Sequence, residues 1–175
     1  MRPVLYPILA VCALASSCEW RAGSYPPPPQ FSLVGAEDPA ALGPFIEMGD
    51  PRSDDFVVRD VTPEHAALRW TFLDPELRFR LKETAGLSFE MRFVLADATF
   101  KVTGPVTVSC AIEGRPLGAM RCDHAGEYRF IKPVPESWLA TGKEIHVTFS
   151  AEPRWVSPED GNQLGFLLRS AGFIK

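Results

Sequence analysis

The stretch LSFEMRFVL, residues 87–95, decides the fold class because apolar and polar side chains alternate along its length. Successive side chains of a β-strand point to opposite faces of the sheet, so a strict period of two marks a strand with one buried face. The apolar members of this stretch are Leu87, Phe89, Met91, Phe93 and Leu95. The stretch therefore predicts a β-strand whose odd-numbered residues enter a core.

The same alternation recurs on both sides of this stretch. It occurs in ALRWTFL (67–73), ELRFRLK (76–82), VTVSCAIEG (106–114) and EIHVTFS (144–150). The predicted core faces are Leu68, Trp70 and Phe72; Leu77, Phe79 and Leu81; Val106, Val108, Cys110 and Ile112; and Ile145, Val147 and Phe149. Arg78, Arg80 and Arg92 then face outward with Glu90, as expected of cross-strand charge pairs.

Turn residues separate these segments. Asp74-Pro75 predicts a turn, Glu113-Gly114 predicts a hairpin, and glycines at 104 and 142 mark strand boundaries. The last stretch, QLGFLLRSAGFIK (163–175), is more continuously apolar and predicts a central strand. Short alternating segments between turns predict an all-β fold, a two-sheet antiparallel β-sandwich that is jelly-roll-like.

The start of the chain has the features of an export signal. Arg2 precedes the apolar stretch VLYPILAVCALA (4–15). This stretch is too short to cross a bilayer core of roughly 30 Å, which needs about 20 apolar residues. The stretch EWRAGSYPPPPQ (19–30) follows, and its four consecutive prolines favour extended polyproline II.

Two cleavage sites compete. Ala13-Leu14-Ala15 fits ordinary signal peptidase, which leaves a soluble secreted or periplasmic protein. Ala15-Ser16-Ser17-Cys18 resembles the lipobox of bacterial lipoproteins, although Leu14 stands one position earlier than in that family. The resemblance implies that Cys18 is acylated. Because a stiff spacer follows, we expect a lipid-anchored exported domain in the cell envelope.

These patterns divide the chain into three parts. Residues 1–17 are predicted to be the signal peptide, 18–44 a lipid-anchored tether with an irregular lead-in, and 45–175 the β-sandwich domain. In the lipoprotein family an aspartate after the cysteine favours inner-membrane retention. Glu19 stands there in this chain, which implies an outer-membrane destination in a cell with two membranes.

Several longer motifs resemble an uncharacterised exported β-sandwich domain of bacteria. They are ALRWTFLDPELRFRL (67–81), TFKVTGPVTVSCAIEGRPLG (99–118), YRFIKPVPESWL (128–139) and EIHVTFSAEPRWVSPEDGNQLGFLL (144–168). Similar domains occur beside polysaccharide-handling membrane proteins. The resemblance covers about residues 45–175 and implies a cell-envelope role for a domain of this fold.

Composition and motifs exclude several functions. The formal net charge is −4 and no basic block exists, so nucleic acid is not an expected partner. The chain has no Gly-x-Ser-x-Gly elbow and no P-loop, and its three histidines stand apart in the sequence. We expect no cofactor. The acidic loops 50–55 and 159–162 are the only candidates for a structural calcium, and neither has EF-hand spacing.

Sugar binding needs aromatic rings on which apolar sugar faces can stack. Trp138 and Trp155 follow prolines in loop-like contexts and are the candidate ligand-binding residues. The alternative is that both rings pack over the ends of the sandwich.

Cys110 and Cys122 would lie in an oxidising compartment, where a disulfide can form. A hairpin centred on Glu113-Gly114, however, pairs Cys110 near Leu117 or Gly118 and leaves Cys122 about four residues away. The sequence therefore leaves two alternatives for Cys110 and Cys122, a disulfide or two buried thiols.

Three functions follow from these features. The first is an envelope-anchored, non-catalytic binding module for a glycan or another envelope component. The second is an interaction subunit that docks a partner protein. The third is a hydrolase, which would need loop carboxylates such as Asp54, Asp55, Glu159 and Asp160 to converge. We rank the enzyme last.

Overall fold

The computed structural model describes residues 42–175. The predicted signal peptide, Cys18 and the proline-rich tether lie outside the described residues. Eleven strands and three short helical segments occur in residues 42–175. The strands are β1 Phe45–Glu47, β2 Val57–Val61, β3 Arg69–Arg80, β4 Ser88–Leu95, β5 Val106–Ile112, β6 Arg115–Cys122, β7 Gly126–Pro133, β8 Glu144–Glu152, β9 Trp155–Val156, β10 Gln163–Leu164 and β11 Leu167–Ile174. The helices are α1 Ser53–Phe56 and α2 Asp97–Thr103, with a 3₁₀ turn at Glu136–Trp138.

The long strands form two antiparallel sheets. Sheet A contains β1, β11, β4 and β7, and sheet B contains β2, β3, β8, β5 and β6. The two sheets join where Leu167 and Leu168 of β11 pair with the start of β3. This arrangement confirms the predicted all-β, two-sheet antiparallel sandwich.

The core lies between the two sheets and is rich in phenylalanine. The five apolar residues of the stretch 87–95 are each at most 6% exposed. Phe89 packs against Phe173 with ring centroids 5.3 Å apart, and Phe79 packs edge-on to both rings. Edge-to-face packing adds about 0.5–1.5 kcal/mol per pair to the burial of apolar area. The predicted inward faces of β5 and β8 are likewise buried.

The turn predicted at Asp74-Pro75 is wrong, because β3 runs through both residues. Before this dipeptide β3 pairs with β11 of sheet A, and after it Glu76 pairs with Thr148 of sheet B. Strands that change sheets bend at such corners. Asp74-Pro75 therefore marks the point at which β3 passes from one sheet to the other.

The core face predicted for residues 68–72 is also wrong. Since β3 continues without a turn, the same alternate residues face the core along its whole length. Leu77 and Phe79 are buried, so the odd-numbered residues of β3 face inward. Arg69 is 2% exposed and Thr71 is fully buried, whereas Trp70 and Phe72 are half-buried on the other face.

The buried Arg69 guanidinium donates hydrogen bonds to three groups. Its Nε donates to the Thr62 carbonyl at 2.5 Å, and Nη1 donates to Ser53 Oγ at 3.0 Å and Asp54 Oδ1 at 2.8 Å. Ser53 is fully buried, whereas the Asp54 side chain is 51% exposed. Arg69 therefore ties helix α1 and the loop after β2 to the strand that joins the sheets.

The hairpin predicted at Glu113-Gly114 is confirmed. These two residues connect β5 and β6 and have φ values of 49° and 72°, as a two-residue hairpin turn requires. Cys110 pairs with Gly118 and Cys122 pairs with Val106, so four residue steps of the ladder separate the cysteines. Both thiols are free and buried, which excludes the candidate disulfide in this structure.

Helix α2 is a feature that sequence periodicity did not predict. It has seven residues and buries only Thr99, while Val102 is 74% exposed. An apolar stripe is therefore missing, and such a stripe is the main sequence signal of a surface helix. The Gly104 N–H closes the helix by donating to the Phe100 carbonyl at 2.8 Å. No helix within residues 42–175 is long and apolar enough to cross a membrane.

Candidate ligand-binding groove

A groove of about 560 Å³ lies on the outer face of sheet B. Ligand sites in proteins commonly measure about 300–1,000 Å³. The residues that line it come from β2, β3, β5, β6 and β8 and are Arg59, Asp74, Ser109, Cys110, Ala111, Pro116, Gly118, Ala119, Thr148, Phe149 and Ser150. The groove is thus built mainly on strands, which hold side chains more rigidly than loops do.

Small side chains form the floor of the groove. Ser109 pairs with Ser150, and Ala111 pairs with Thr148, in the β5–β8 ladder. These four residues alternate with core residues and therefore point outward. Ser150 Oγ donates to Ser109 Oγ at 3.3 Å. Because none of these side chains is large, the backbone lies close to the surface and space for a ligand remains above it.

Two charged residues stand on the β2–β3 side of the groove. Arg59 lies 3.0 Å from the Glu76 carboxylate, measured from Nη2 to Oε2. Asp74 is 3.8 Å from Arg154 Nη2, and this Arg154 nitrogen also contacts Glu152 at 3.2 Å. These ion pairs orient a cation and an anion at one rim.

The opposite rim follows from an irregularity in the edge strand β6. Cys110 pairs with Gly118 but the next residue, Ala111, pairs with Pro116, so Leu117 is an extra residue in β6. Bulges of this kind bend edge strands and re-aim their side chains. Pro116, Gly118 and Ala119 consequently form a low wall beside the small residues of β5.

The three histidines occupy separate places. His146 Nδ1 lies 2.7 Å from Glu76 Oε1, and the His146 backbone N–H donates to Glu113 Oε1 at 2.7 Å. His65 Nε2 lies 3.3 Å from Asp54, and His124 stacks on Tyr128 with centroids 5.1 Å apart. Among residues 42–175, no group of three or more His, Cys, Asp or Glu side chains could hold a metal ion.

The structure does not bring Trp138 and Trp155 together. Trp138 is half-buried against the core, and the Arg115 guanidinium at the β5–β6 hairpin lies 5.9 Å from its ring centroid. Trp155 follows the far end of β8 and pairs with Leu164. A strand of nine residues, about 26 Å long at 3.3 Å per residue, separates the two ends. Neither ring lines the groove, so a ligand-binding role for either tryptophan stays a prediction.

Two of the four candidate carboxylates of a hydrolase, Asp54 and Asp160, are engaged in separate places. Asp54 pairs with Arg69 and His65. Asp160 lies in the β9–β10 turn, where hydrogen bonds from Ser157 and the Asn162 backbone lower the pKa of its carboxyl. None of the four predicted carboxylates lines the groove.

The groove residues were not predicted. Ser109, Thr148 and Ser150 occupy the polar positions of strands that the alternation predicts correctly, so their outward direction is readable from the sequence. Their convergence is not readable, because it depends on which strands pair and in which register. Cross-strand charge pairing is confirmed for Arg78 and Arg80, which pair with Glu144 on sheet B. Arg92 instead pairs with Glu90 of its own strand on sheet A, so Glu90 does not share a face with Arg78 and Arg80.

Comparison with known proteins shows similarity in structure but not in sequence. No protein-family model matches the chain, and no curated protein matches it. A family 35 carbohydrate-binding module from Clostridium thermocellum is 10% identical, with a TM-score of 0.42 over 70% of this chain and 93% of that chain. An acetyl xylan esterase from the rumen bacterium Butyrivibrio proteoclasticus is 11% identical, with a TM-score of 0.44 over 77% of this chain.

An exo-β-1,3-galactanase from Phanerochaete chrysosporium is 10% identical over 77% of this chain, with a TM-score of 0.42. This chain spans 34% of the esterase chain and 29% of the galactanase chain. With TM-scores below 0.5, these similarities carry no conclusion about ligand or activity.

Proposed function

We propose that the protein is a non-catalytic glycan-binding module that holds carbohydrate in the groove on sheet B. The observation that carries the proposal is the groove itself, with a volume of about 560 Å³ and a floor of serine and threonine hydroxyls on rigid strands. A hydroxyl both donates and accepts hydrogen bonds. A row of fixed hydroxyls therefore matches a ligand whose surface is itself covered with hydroxyl groups.

The rim supports the same ligand class. Arg59 supplies N–H donors and Asp74 supplies acceptor oxygens at one edge of the groove. A hydrogen bond with one charged partner is stronger than a hydrogen bond between two neutral groups. A sugar that spans the groove can place hydroxyls against the floor and against both charges, which would fix its orientation.

The groove chemistry favours binding without hydrolysis. Glycosidases generally use a pair of Asp or Glu side chains that flank the scissile bond. Among the described residues that line the groove, Asp74 is the only carboxylate. Glu76 lies nearby on β3, but Arg59 and His146 bind it and it does not line the groove.

A groove-filling variant tests the proposal. A glycan array would identify a ligand, and isothermal titration with that glycan would measure its affinity for the wild type, Thr148→Phe and Thr107→Phe. Both threonines point outward from central strands of sheet B, but only Thr148 lines the groove. We expect Thr148→Phe to abolish binding and Thr107→Phe to retain it. Equal affinity for both variants, or an array without a ligand, would contradict the proposal.

We further propose that Cys18 anchors this module in the envelope, with the outer membrane favoured. The support is the lipobox-like Ala15-Ser16-Ser17-Cys18 followed by four prolines. Detergent-phase protein from the native host should exceed the mass of the chain from Cys18 by its acyl groups, and Cys18→Ala should lose this mass. A soluble form that begins at Ser16 would contradict anchoring.

Docking of a partner protein remains the alternative function. Among residues 42–175, the exposed large apolar side chains are Val58, Leu73, Val102, Ile131 and Val156, each on a different helix or strand. The groove therefore favours the glycan over a protein partner.

A further inference from the structure

The outer face of sheet A carries three arginines on three neighbouring strands. Arg129 of β7 lies directly opposite Arg92 of β4 in the ladder. On the other side of β4, Arg92 pairs with Ser170 of β11, next to Arg169. Neighbouring strands are about 4.8 Å apart, so the three guanidinium groups can reach one location.

A β-bulge places Arg169 in this group. Leu168 pairs with Phe93 and Ser170 pairs with Arg92, so Arg169 is an extra residue between consecutive pairs. Leu168 and Ser170 are both buried, whereas 42% of the Arg169 side chain is exposed. Bulges re-aim side chains and are frequent beside functional sites.

A buried carboxylate holds two of the arginines in place. Glu90 is 2% exposed, and its Oε1 accepts a hydrogen bond from Arg92 Nε at 2.7 Å while Oε2 accepts one from Arg129 Nη2. The hydrogen bond from Arg129, together with that from Arg92, lowers the pKa of the Glu90 carboxyl against the opposing effect of burial. Glu90 therefore stays ionised and positions both guanidinium groups.

These groups surround a cavity of about 350 Å³, lined by Arg92, Phe93, Glu127, Tyr128, Arg129 and Arg169. Each guanidinium has five N–H donors. Within the described residues, Arg92 and Arg129 each give one hydrogen bond to Glu90, and Arg169 gives one to Glu127 at 2.6 Å. Most of the donors thus face solvent. Glu47 lines a smaller cavity on the far side of Arg92 and Arg169.

Two features distinguish this cluster from ordinary surface charge pairing. Like charges directly opposite each other destabilise a sheet, yet Arg92 and Arg129 occupy such a pair. The chain as a whole is acidic, with a net charge of −4, so its composition does not explain why three arginines lie together. Glu90 offsets one of the two positive charges, and a bound anion would offset the other and use the remaining donors.

We propose that Arg92, Arg129 and Arg169 form an anion-binding site, which takes an oxyanion such as the carboxylate of an acidic sugar or a phosphate group. Arginine forks bind both groups through paired N–H···O bonds. Glu90 acts as a positioning residue. The site lies on the opposite sheet from the groove, so it goes beyond the proposed function and can exist without it.

Titration of the full-length protein with three probes tests the site. The probes are trigalacturonate, which carries carboxylates; inorganic phosphate; and neutral galactotriose. The variants are Arg169→Gln, Arg129→Gln and, as a matched control, Arg121→Gln. The Arg121 side chain on β6 is 65% exposed and pairs with Asp123. Circular dichroism would verify that each variant folds. Arg169→Gln is the decisive variant because its ion-pair partner Glu127 is exposed.

We expect trigalacturonate, phosphate or both to bind the wild type, and Arg169→Gln to weaken binding by roughly tenfold or more. Arg121→Gln and the groove variant Thr148→Phe should leave anion affinity unchanged, and added salt should lower it. Binding of trigalacturonate alone would identify an acidic sugar as the source of the anion, and binding of phosphate alone a phosphate-bearing ligand. No binding of either anion, or equal losses in Arg169→Gln and Arg121→Gln, would overturn the proposal.

Discussion

Replacing Arg69 with methionine tests the network that joins α1 to β3. Arg69 is the largest side chain that the described residues bury fully, and it donates hydrogen bonds to three oxygens. Methionine has a similar length but donates none of these bonds. The variant therefore removes the polar contacts while it fills much of the same space.

The cost can be estimated partner by partner. Asp54 is half-exposed, so water can replace its lost hydrogen bond at little cost. The buried Ser53 hydroxyl and the Thr62 carbonyl lose their guanidinium partner, at about 1–3 kcal/mol each. Since burial of the guanidinium itself costs free energy, its removal offsets part of this loss. We expect the free energy of unfolding to fall by about 2–4 kcal/mol.

Urea denaturation monitored by tryptophan fluorescence would measure this change. For a domain of this size, about 3–5 °C of Tm per kcal/mol gives a fall in Tm of roughly 10 °C. The matched control is Arg121→Met, which should change stability by less than about 0.5 kcal/mol because Arg121 is exposed. If Arg69→Met were as stable as Arg121→Met, the buried network would not stabilise the fold and this reasoning would be refuted.

Three further predictions concern a carboxylate, two thiols and a glycine. The pKa of the Glu90 carboxyl is lowered in the folded state. Its contribution to the free energy of unfolding is therefore complete above an ordinary pKa of about 4.3 and is lost as pH falls through the folded-state value. The stability difference between wild type and Glu90→Gln should shrink in acid, and a constant difference down to pH 2.5 would contradict this. Burial raises the pKa of Cys110, and burial with the nearby Asp123 raises that of Cys122 to about 11. Iodoacetamide at pH 8 should then label both cysteines only in urea, as peptide mapping would show, and a cross-linked peptide would refute two free thiols. An added Cβ at Gly172 would lie 2.4 Å from the β1 backbone, so thermal denaturation should show a larger loss for Gly172→Ala than for Gly86→Ala, whose Cβ would meet nothing within 4 Å.

The sequence predicts correctly those strands in which apolar residues occupy every second position without a shift. The stretch 87–95 and β5 are examples, because every second residue in each is apolar. In β5 the turn at Glu113-Gly114 follows directly. The two alternating stretches on either side of Asp74-Pro75 have their apolar residues at even and at odd positions, respectively, and this change predicts a turn between them. The strand instead continues and buries Arg69, which is tolerated only because Ser53, Asp54 and Thr62 bind the guanidinium.

The β-sandwich can be predicted from the sequence, since the period of apolar residues is a local property of each strand. The positions of the groove and the arginine cluster, by contrast, follow from the tertiary structure. Ser109 and Ser150 are 41 residues apart along the chain, and Arg129 and its partner Glu90 are 39 apart. Such residues meet through strand order, register and the bulge at Arg169, and these depend on which long-range pairing buries the core best. Which pairing buries the core best depends on all strands together and cannot be read from any single segment.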